Sequence, residues 1–197
     1  MKCLVVIAHP LTESLCNSLA AEAIEQLNRN GHKVVEENLY DVDFKPALTA
    51  DERLSYYGNF DTSGLDDSVS RLQEADALVL AFPTWWFGFP AILKGWFDRV
   101  WAPGIAFENA DDLDAIKPKL DGLRNVLVIT TLGSPWWVDR LVMFRPVKRI
   151  VKHALLGACA KNAKLDYLSL YRSEKLAPDV VERFKVKIAR KIDAWPR

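Results

Sequence analysis

The sequence predicts a three-layer α/β sandwich around a five-stranded parallel sheet, and three observations predict it. Short apolar runs alternate along the chain with longer helix-like stretches. The runs at 3–8, 77–82 and 126–131 are continuous rather than alternating, which is the pattern of strands covered on both faces. Helices that join parallel strands must cross over the sheet and so cover both its sides. The chain also contains no Gly-x-Gly. That disfavours the doubly wound order that carries a dinucleotide fingerprint after strand one, and leaves the order 2-1-3-4-5.

Taken in order, the first strand is 3–8. The helix at 14–30 places Leu15, Leu19, Ala23, Ile24 and Leu27 on one stripe, and Gly31 then supplies a stop. The second strand, 33–39, mixes Val34 and Val35 with polar residues and reads as more exposed. Residues 41–64, with Pro46, Gly58 and Gly64, read as a long excursion with little regular structure. A shorter helix at 65–75 leads into the strand 77–82. Helices at 90–101, 146–160 and 178–194 each open on proline, which suits the first turn. Strands at 126–131 and 164–171 complete the sheet. This is the flavodoxin-like sandwich, whose ligand crevice lies at the carboxyl ends of strands one and three with strand four beside them.

A chain of 197 residues suits one domain spanning 1–197. Lysine plus arginine and aspartate plus glutamate balance at 26 each. Zero net charge gives no reason to expect nucleic-acid binding and is compatible with self-association. Cys3, Cys16 and Cys159 are too sparse for a disulfide framework or a metal site, so a reducing cytoplasm is the expected home. The apolar run at the N-terminus stops at His9-Pro10, too short for the core of a signal peptide. No stretch reaches the roughly 20 apolar residues that span a bilayer, so a soluble protein is expected.

Three unusual loops fall at the crevice. The first, 9–14, leads into the first helix, whose unpaired N–H groups and positive dipole end suit a phosphate. Ser14 adds a hydroxyl and His9 a ring donor; equally, Thr12 or Ser14 serves as a plain cap. The second loop is Pro83-Thr84-Trp85-Trp86-Phe87-Gly88-Phe89-Pro90. Four aromatics on a surface connection are expensive in water, at about 25 cal/mol per Å². They must cover something or be covered. A planar tricyclic flavin is a suitable partner; an aromatic plug or a subunit contact is the other reading. Gly88 permits close backbone approach, and the Trp86 and Phe87 N–H groups can bond the ring's polar edge. The third loop, Thr130-Thr131-Leu132-Gly133-Ser134-Pro135-Trp136-Trp137, offers hydroxyls to a pyrimidine side and a tryptophan wall at Trp136. An ordinary turn explains its Thr-Thr-x-Gly as well. The weight lies in convergence, because all three loops follow strands one, three and four.

The stretch Pro83-Thr84-Trp85-Trp86-Phe87-Gly88-Phe89-Pro90-Ala91-Ile92-Leu93-Lys94-Gly95-Trp96-Phe97-Asp98-Arg99-Val100 resembles the NAD(P)H quinone reductases of the DT-diaphorase type. It is similar also to their bacterial relatives, the modulator-of-drug-activity and potassium-efflux ancillary proteins. His9-Pro10-x-x-x-Ser14, Gly104-Ile105-Ala106-Phe107 and Thr130-Thr131-Leu132-Gly133 fit in the same order. The resemblance implies a tightly bound flavin (FAD, with FMN as the alternative), a homodimer with sites between subunits, and two-electron reduction of quinones by NAD(P)H. It implies that His9 and Ser14 hold the phosphate and that Pro83, Thr84, Trp85, Trp86, Phe87, Thr130, Thr131, Gly133 and Trp136 surround the ring. Trp86 and Phe87 would also face the substrate, and Phe107 would reach the partner's pocket. Where the family has Asn two residues after the serine, this chain has Cys16, with Asn17 adjacent, and these two are the expected cofactor-binding residues at the diphosphate. The Tyr and His that follow the third loop in animal members are absent here, which leaves backbone groups or Arg140 to stabilise the reduced ring.

On this reading a shared slot gives ping-pong kinetics, since hydride donor and acceptor use it in turn. Azo or nitro compounds are alternative acceptors. A flavin-bound regulator of a potassium-efflux membrane transporter is the alternative of a different class. No Gly-x-Ser-x-Gly elbow or P-loop is present. No arginine stands six residues after a cysteine, as a low-molecular-weight phosphatase requires, and His9-Pro10 stands where a response regulator needs acids. The basic residues Arg145, Lys148, Arg149, Lys152 and His153 fit either a basic amphipathic helix that docks on anionic partners or a membrane surface, or an ordinary half-solvated helix, and the second reading is preferred. Trp195 is expected to pack the terminal helix, and His32 to sit at a surface turn.

Overall fold

Strand β1 (Lys2–Ile7) sends Cys3, Val5 and Ile7 into one core and Leu4 and Val6 into another. Side chains alternate across a strand, so apolar residues on both parities place covered cores on both faces. The computed structural model describes residues 1–109 and 116–196, and in it β3 (Ala77–Pro83) and β6 (Asn125–Leu132) are buried at every position. They are flanked by β1 and by the less buried β2 (Lys33–Asn38) and β7 (Lys164–Tyr171). The order is β2-β1-β3-β6-β7 with every neighbouring pair parallel. The short strands β4 (Phe107–Glu108) and β5 (Lys117–Pro118) form a separate antiparallel pair. Without them, the sheet has the expected order 2-1-3-4-5.

Helix α1 (Leu15–Arg29) buries Leu19, Ala20, Ala23 and Leu27 against one face, beside α7 (Pro178–Asp193) with Phe184, Ile188 and Ile192. Trp195 closes this layer, as expected. The opposite face is covered by α3 (Asp66–Gln73), α4 (Ala91–Val100) and a helical run that changes type along its length. That run is α5 (Pro146–Arg149), a π-helical stretch (Ile150–Leu156) and α6 (Gly157–Cys159). Gly95 of α4 is a contact point: a Cβ there would stand 2.1 Å from the Pro46 carbonyl oxygen, so no side chain fits between helix and excursion.

Three expectations need correction. The excursion 41–64 holds a helix, α2 (Ala50–Ser55), with a complete capping box between Thr49 and Glu52. The continuous helix expected at 146–160 is π-helical through its middle, Ile150–Leu156, between two short α-helical pieces, and a second π segment lies at Val138–Val142. His32 is buried, not at the surface, with Nδ1 3.5 Å from the N-terminal amine. Burial and that cation lower its pKa.

The excursion is fastened to α4 by a buried ion pair. Arg99 Nε donates to Glu52 at 2.8 and 3.1 Å, and Nη2 at 2.6 Å. Burial raises the carboxyl pKa, but hydrogen bonds from Arg99 and the Thr49 backbone and the nearby guanidinium outweigh it, and the net shift is downward. Helix α4 follows the aromatic loop directly, so this anchor holds the segment that fixes the loop's far end.

Candidate functional site at the carboxyl ends of three strands

The first loop begins while the sheet is still paired, since Ala8 N–H donates to Ala81 O at 3.0 Å. Leu11 N–H donates to His9 Nδ1 at 3.1 Å. Nδ1 is thereby the acceptor, which leaves the proton on Nε2, free to donate outward. Ser14 is the N-cap of α1, its hydroxyl accepting from Asn17 N–H at 3.2 Å. Leu15 and Cys16 then hold the first-turn N–H groups that a helix cannot satisfy itself. Asn17 closes the loop by donating to the carbonyls of Leu11 and Thr12, each at 3.0 Å. A cavity of about 600 Å³ opens beside this turn, lined by Thr12, Ser14, Asn17, Glu36, Asn38 and Asp41.

One expected residue is corrected here. Cys16 turns its side chain into the core beneath α1, where burial pushes its thiol up to about 12. Helical geometry explains this, because Cys16 shares its face with Leu19, Ala20 and Ala23. Only its backbone N–H remains at the loop; Ser14 and Asn17 line the cavity.

The second loop is a two-residue reversal. Trp85 N–H donates to Gly88 O at 3.2 Å and Gly88 N–H to Trp85 O at 2.9 Å. The residues between, Trp86 and Phe87, both take left-handed backbone angles, φ 49° and 56°. A turn with positive φ at both central positions normally carries Asn-Gly. Bulky residues there cost roughly 1–3 kcal/mol each. The result is that Trp86 is 97% exposed, while Phe89 turns inward against Phe82 and Phe97 at ring centroids of 5.5 and 5.1 Å. Trp86 is therefore not an aromatic plug. Strain and exposure are both unfavourable, and both meet at Trp86.

The three loops touch one another. The His9 and Trp85 rings lie 6.2 Å apart. Thr84 N–H donates to Thr131 O at 2.9 Å, and the Thr84 and Thr130 hydroxyls are 2.7 Å apart. Pro83 and Thr131 face each other in the β3–β6 register. Gly133 is exposed, with Glu174 beside it. Trp136 stands half in solvent with the Arg140 guanidinium 5.8 Å above its ring. So His9, Ser14, Pro83, Thr84, Trp85, Trp86, Phe87, Thr130, Thr131, Gly133 and Trp136 come together at one end of the sheet. Phe107 does not join them. It lines a separate apolar cavity of about 490 Å³ with Tyr56, Tyr57, Phe97, Trp101 and Ile150.

Sequence reasoning missed the layer behind the third loop. Asp139 is buried and accepts from the Tyr171 hydroxyl at 2.8 Å, with Arg145 Nε 3.9 Å away. Tyr167, on the same strand as Tyr171, adjoins Thr84. Burial and the charge of Asp139 push its phenol well above the usual range. The alternation of Tyr167, Ser169 and Tyr171 along β7 was the one available sign that these residues share a face.

A family model described as flavodoxin-like fold matches residues 1–188. An uncharacterized NAD(P)H oxidoreductase of Haemophilus influenzae is 34% identical over 160 residues, covering 80% of this chain and 75% of that protein. The ribosyldihydronicotinamide dehydrogenase [quinone] of Mus musculus is 33% identical over 150 residues, covering 68% of this chain and 64% of that protein. This chain thus spans less than two thirds of the length of several curated relatives it matches. Among solved structures, the NAD(P)H:quinone oxidoreductase of Methanothermobacter marburgensis superposes with a TM-score of 0.83 at 24% identity, over 98% of this chain and 95% of that one. At that identity the likeness is one of fold.

Proposed function

The chain belongs to the family of the flavodoxin-like fold, and from that premise we propose that it is a flavin-dependent NAD(P)H:quinone oxidoreductase. The observation that carries the reading is the solvent-facing indole of Trp86, held out on two strained residues between the other two loops. A flat apolar ring laid against it removes the exposed surface and repays the strain.

The residues fit a flavin at each end. The free N–H groups of the first α1 turn, the Ser14 hydroxyl and His9 Nε2 are donors without a cationic side chain, suited to a phosphate. Trp86 and Phe87 N–H groups and the Thr131 hydroxyl are donors suited to the polar edge of the ring, whereas Thr130, expected beside the ring, is fully buried and acts through its contact with Thr84. The cavity continues past the phosphate cradle to Glu36, Asn38 and Asp41, acceptors that suit ribose hydroxyls and an adenine amine. That extension favours FAD over FMN.

A bound flavin supplies the hydride chemistry. The protein supplies proximity, exclusion of water and donors aimed where negative charge gathers. With a flavin bound, Trp86 and Phe87 would wall a single slot for a flat partner. Nicotinamide and quinone are both flat and use it in turn, so the oxidised donor leaves before the acceptor enters. We place the protein in the cytoplasm as a homodimer, with the apolar cavity around Phe107 facing the second copy. No helix among the described residues is long and apolar enough to cross a membrane.

Initial rates with NADH or NADPH and a soluble benzoquinone test this. Parallel double-reciprocal lines are expected. Intersecting lines contradict the shared slot, and no quinone turnover by flavin-loaded protein contradicts the function.

A further inference from the structure

Four consecutive apolar residues stand in solvent just beyond the third loop. Leu141 is 62%, Val142 54%, Met143 38% and Phe144 64% exposed. A run of this kind is unfavourable on a soluble surface unless something covers it. It is also held out under strain, since Phe144 and Arg145 both take left-handed angles, φ 54° and 53°.

Cations flank and follow the same run along the chain. From Arg140 to Leu165 the chain contains no Asp or Glu, although its overall charge is zero. Arg140 and Arg145 flank the apolar residues, and Lys148 and Lys152 follow one helical turn apart. Among the described residues, neither Lys148 nor Lys152 has an acidic partner, and Arg145 has Asp139 at 3.9 Å. The pKa of Lys148 is lowered by burial and then by Arg145, Lys152 and Arg140, which places all four cations within one field. Uncompensated positive potential, exposed apolar area and backbone strain are three separate penalties at one place.

We propose that Leu141, Val142, Met143 and Phe144, with Arg140, Arg145, Lys148 and Lys152 around them, dock the protein on an anionic lipid surface. Apolar side chains enter the interface while the cations meet the headgroups. A second copy of the same patch is a poor occupant, because a twofold contact sets each patch against itself and the cations repel. The face around Phe107 and Ile150 is a different one. The docking does not rest on the quinone reading. Where both hold, the third loop lies beside the bilayer from which an apolar acceptor arrives.

The test is co-sedimentation of the flavin-loaded protein with vesicles. One set is phosphatidylcholine alone, the other equal parts phosphatidylcholine and phosphatidylglycerol. Binding is expected to the anionic set only, and to fall as salt rises. Each cation near such a surface contributes about fivefold, so Lys148→Gln with Lys152→Gln weakens binding by roughly thirtyfold. Phe144→Ser weakens it too. Both variants should keep their circular dichroism, melting temperature and turnover of a soluble quinone. Equal binding to both sets, no binding to either, or binding unchanged by the substitutions overturns the proposal. So does retention on native membranes without retention on pure lipid, which assigns the face to a protein. A variant that halves the mass in light scattering assigns it to a second copy and overturns the proposal as well.

Discussion

The hydroxyls of Thr84 and Thr130 lie 2.7 Å apart and join the aromatic loop to the strand that carries the third loop. Each strand end places one threonine, and the parallel register sets Pro83 opposite Thr131 so that the pair meets. Behind them stand the half-buried Tyr167 and the buried Asp139. The pair therefore has few orientations open to it, and the Thr130 hydroxyl is held in place before any ligand arrives.

Thr84→Val removes one member of that pair while keeping its shape. Loss of one hydrogen bond of this kind is worth about 1 kcal/mol. Flavin affinity should fall about fivefold, with the fold intact. Fluorescence titration of the variant checks it, and an unchanged dissociation constant argues that the pair does not orient the site.

Trp86→Gly separates function from stability. The indole packs on almost nothing, and its left-handed backbone suits glycine. Removing it should leave stability unchanged or raise it by about 1 kcal/mol, while flavin retention falls at least about tenfold. A urea midpoint and a flavin assay on the same preparation test both halves. A large loss of stability means that the indole is covered by protein.

The Arg99–Glu52 pair predicts a pH dependence. The folded pKa of Glu52 lies below its ordinary value. Its contribution is therefore complete above the usual glutamate range and is lost as pH falls through the lowered value. Arg99→Met leaves a buried carboxylate alone and should cost about 3–5 kcal/mol near neutrality. The penalty should shrink in acid, where Glu52 is protonated. Urea denaturation at neutral and acid pH measures it; an equal penalty at both contradicts the assignment.

Cys3, Cys16 and Cys159 are all buried. Burial pushes Cys3 up to about 11 and Cys16 up to about 12, and raises Cys159 as well. At mildly alkaline pH almost none of these groups is thiolate. A thiol reagent should titrate none in the native protein and all three in denaturant. Rapid labelling without denaturant means that a helix over one of them opens.

The sheet was legible because β1, β3 and β6 are covered on both faces, and that leaves continuous apolar runs. The three loops were legible because aromatic and hydroxyl residues after strand ends are conspicuous. Side-chain direction was not. Cys16 and Asn17 are neighbours in sequence, but a helix turns one into the core and the other toward the cavity. The α2 helix was readable in principle from Thr49 and Glu52, whose capping box lay among turn residues. Nothing local announces the π-helical stretches or the left-handed turn at Phe144 and Arg145; these follow from how the helical run packs on the sheet. Tyr167 meets Thr84 only through the register of β3, β6 and β7, which no single segment encodes.

The central claim is that Trp86 and its neighbouring loops hold a flavin. Apoprotein titrated with FAD and with FMN, then passed through gel filtration, tests it most directly. The expected result is one flavin per folded chain co-eluting with the protein, with FAD the tighter. A folded, colourless protein that leaves both flavins in the small-molecule fraction contradicts it.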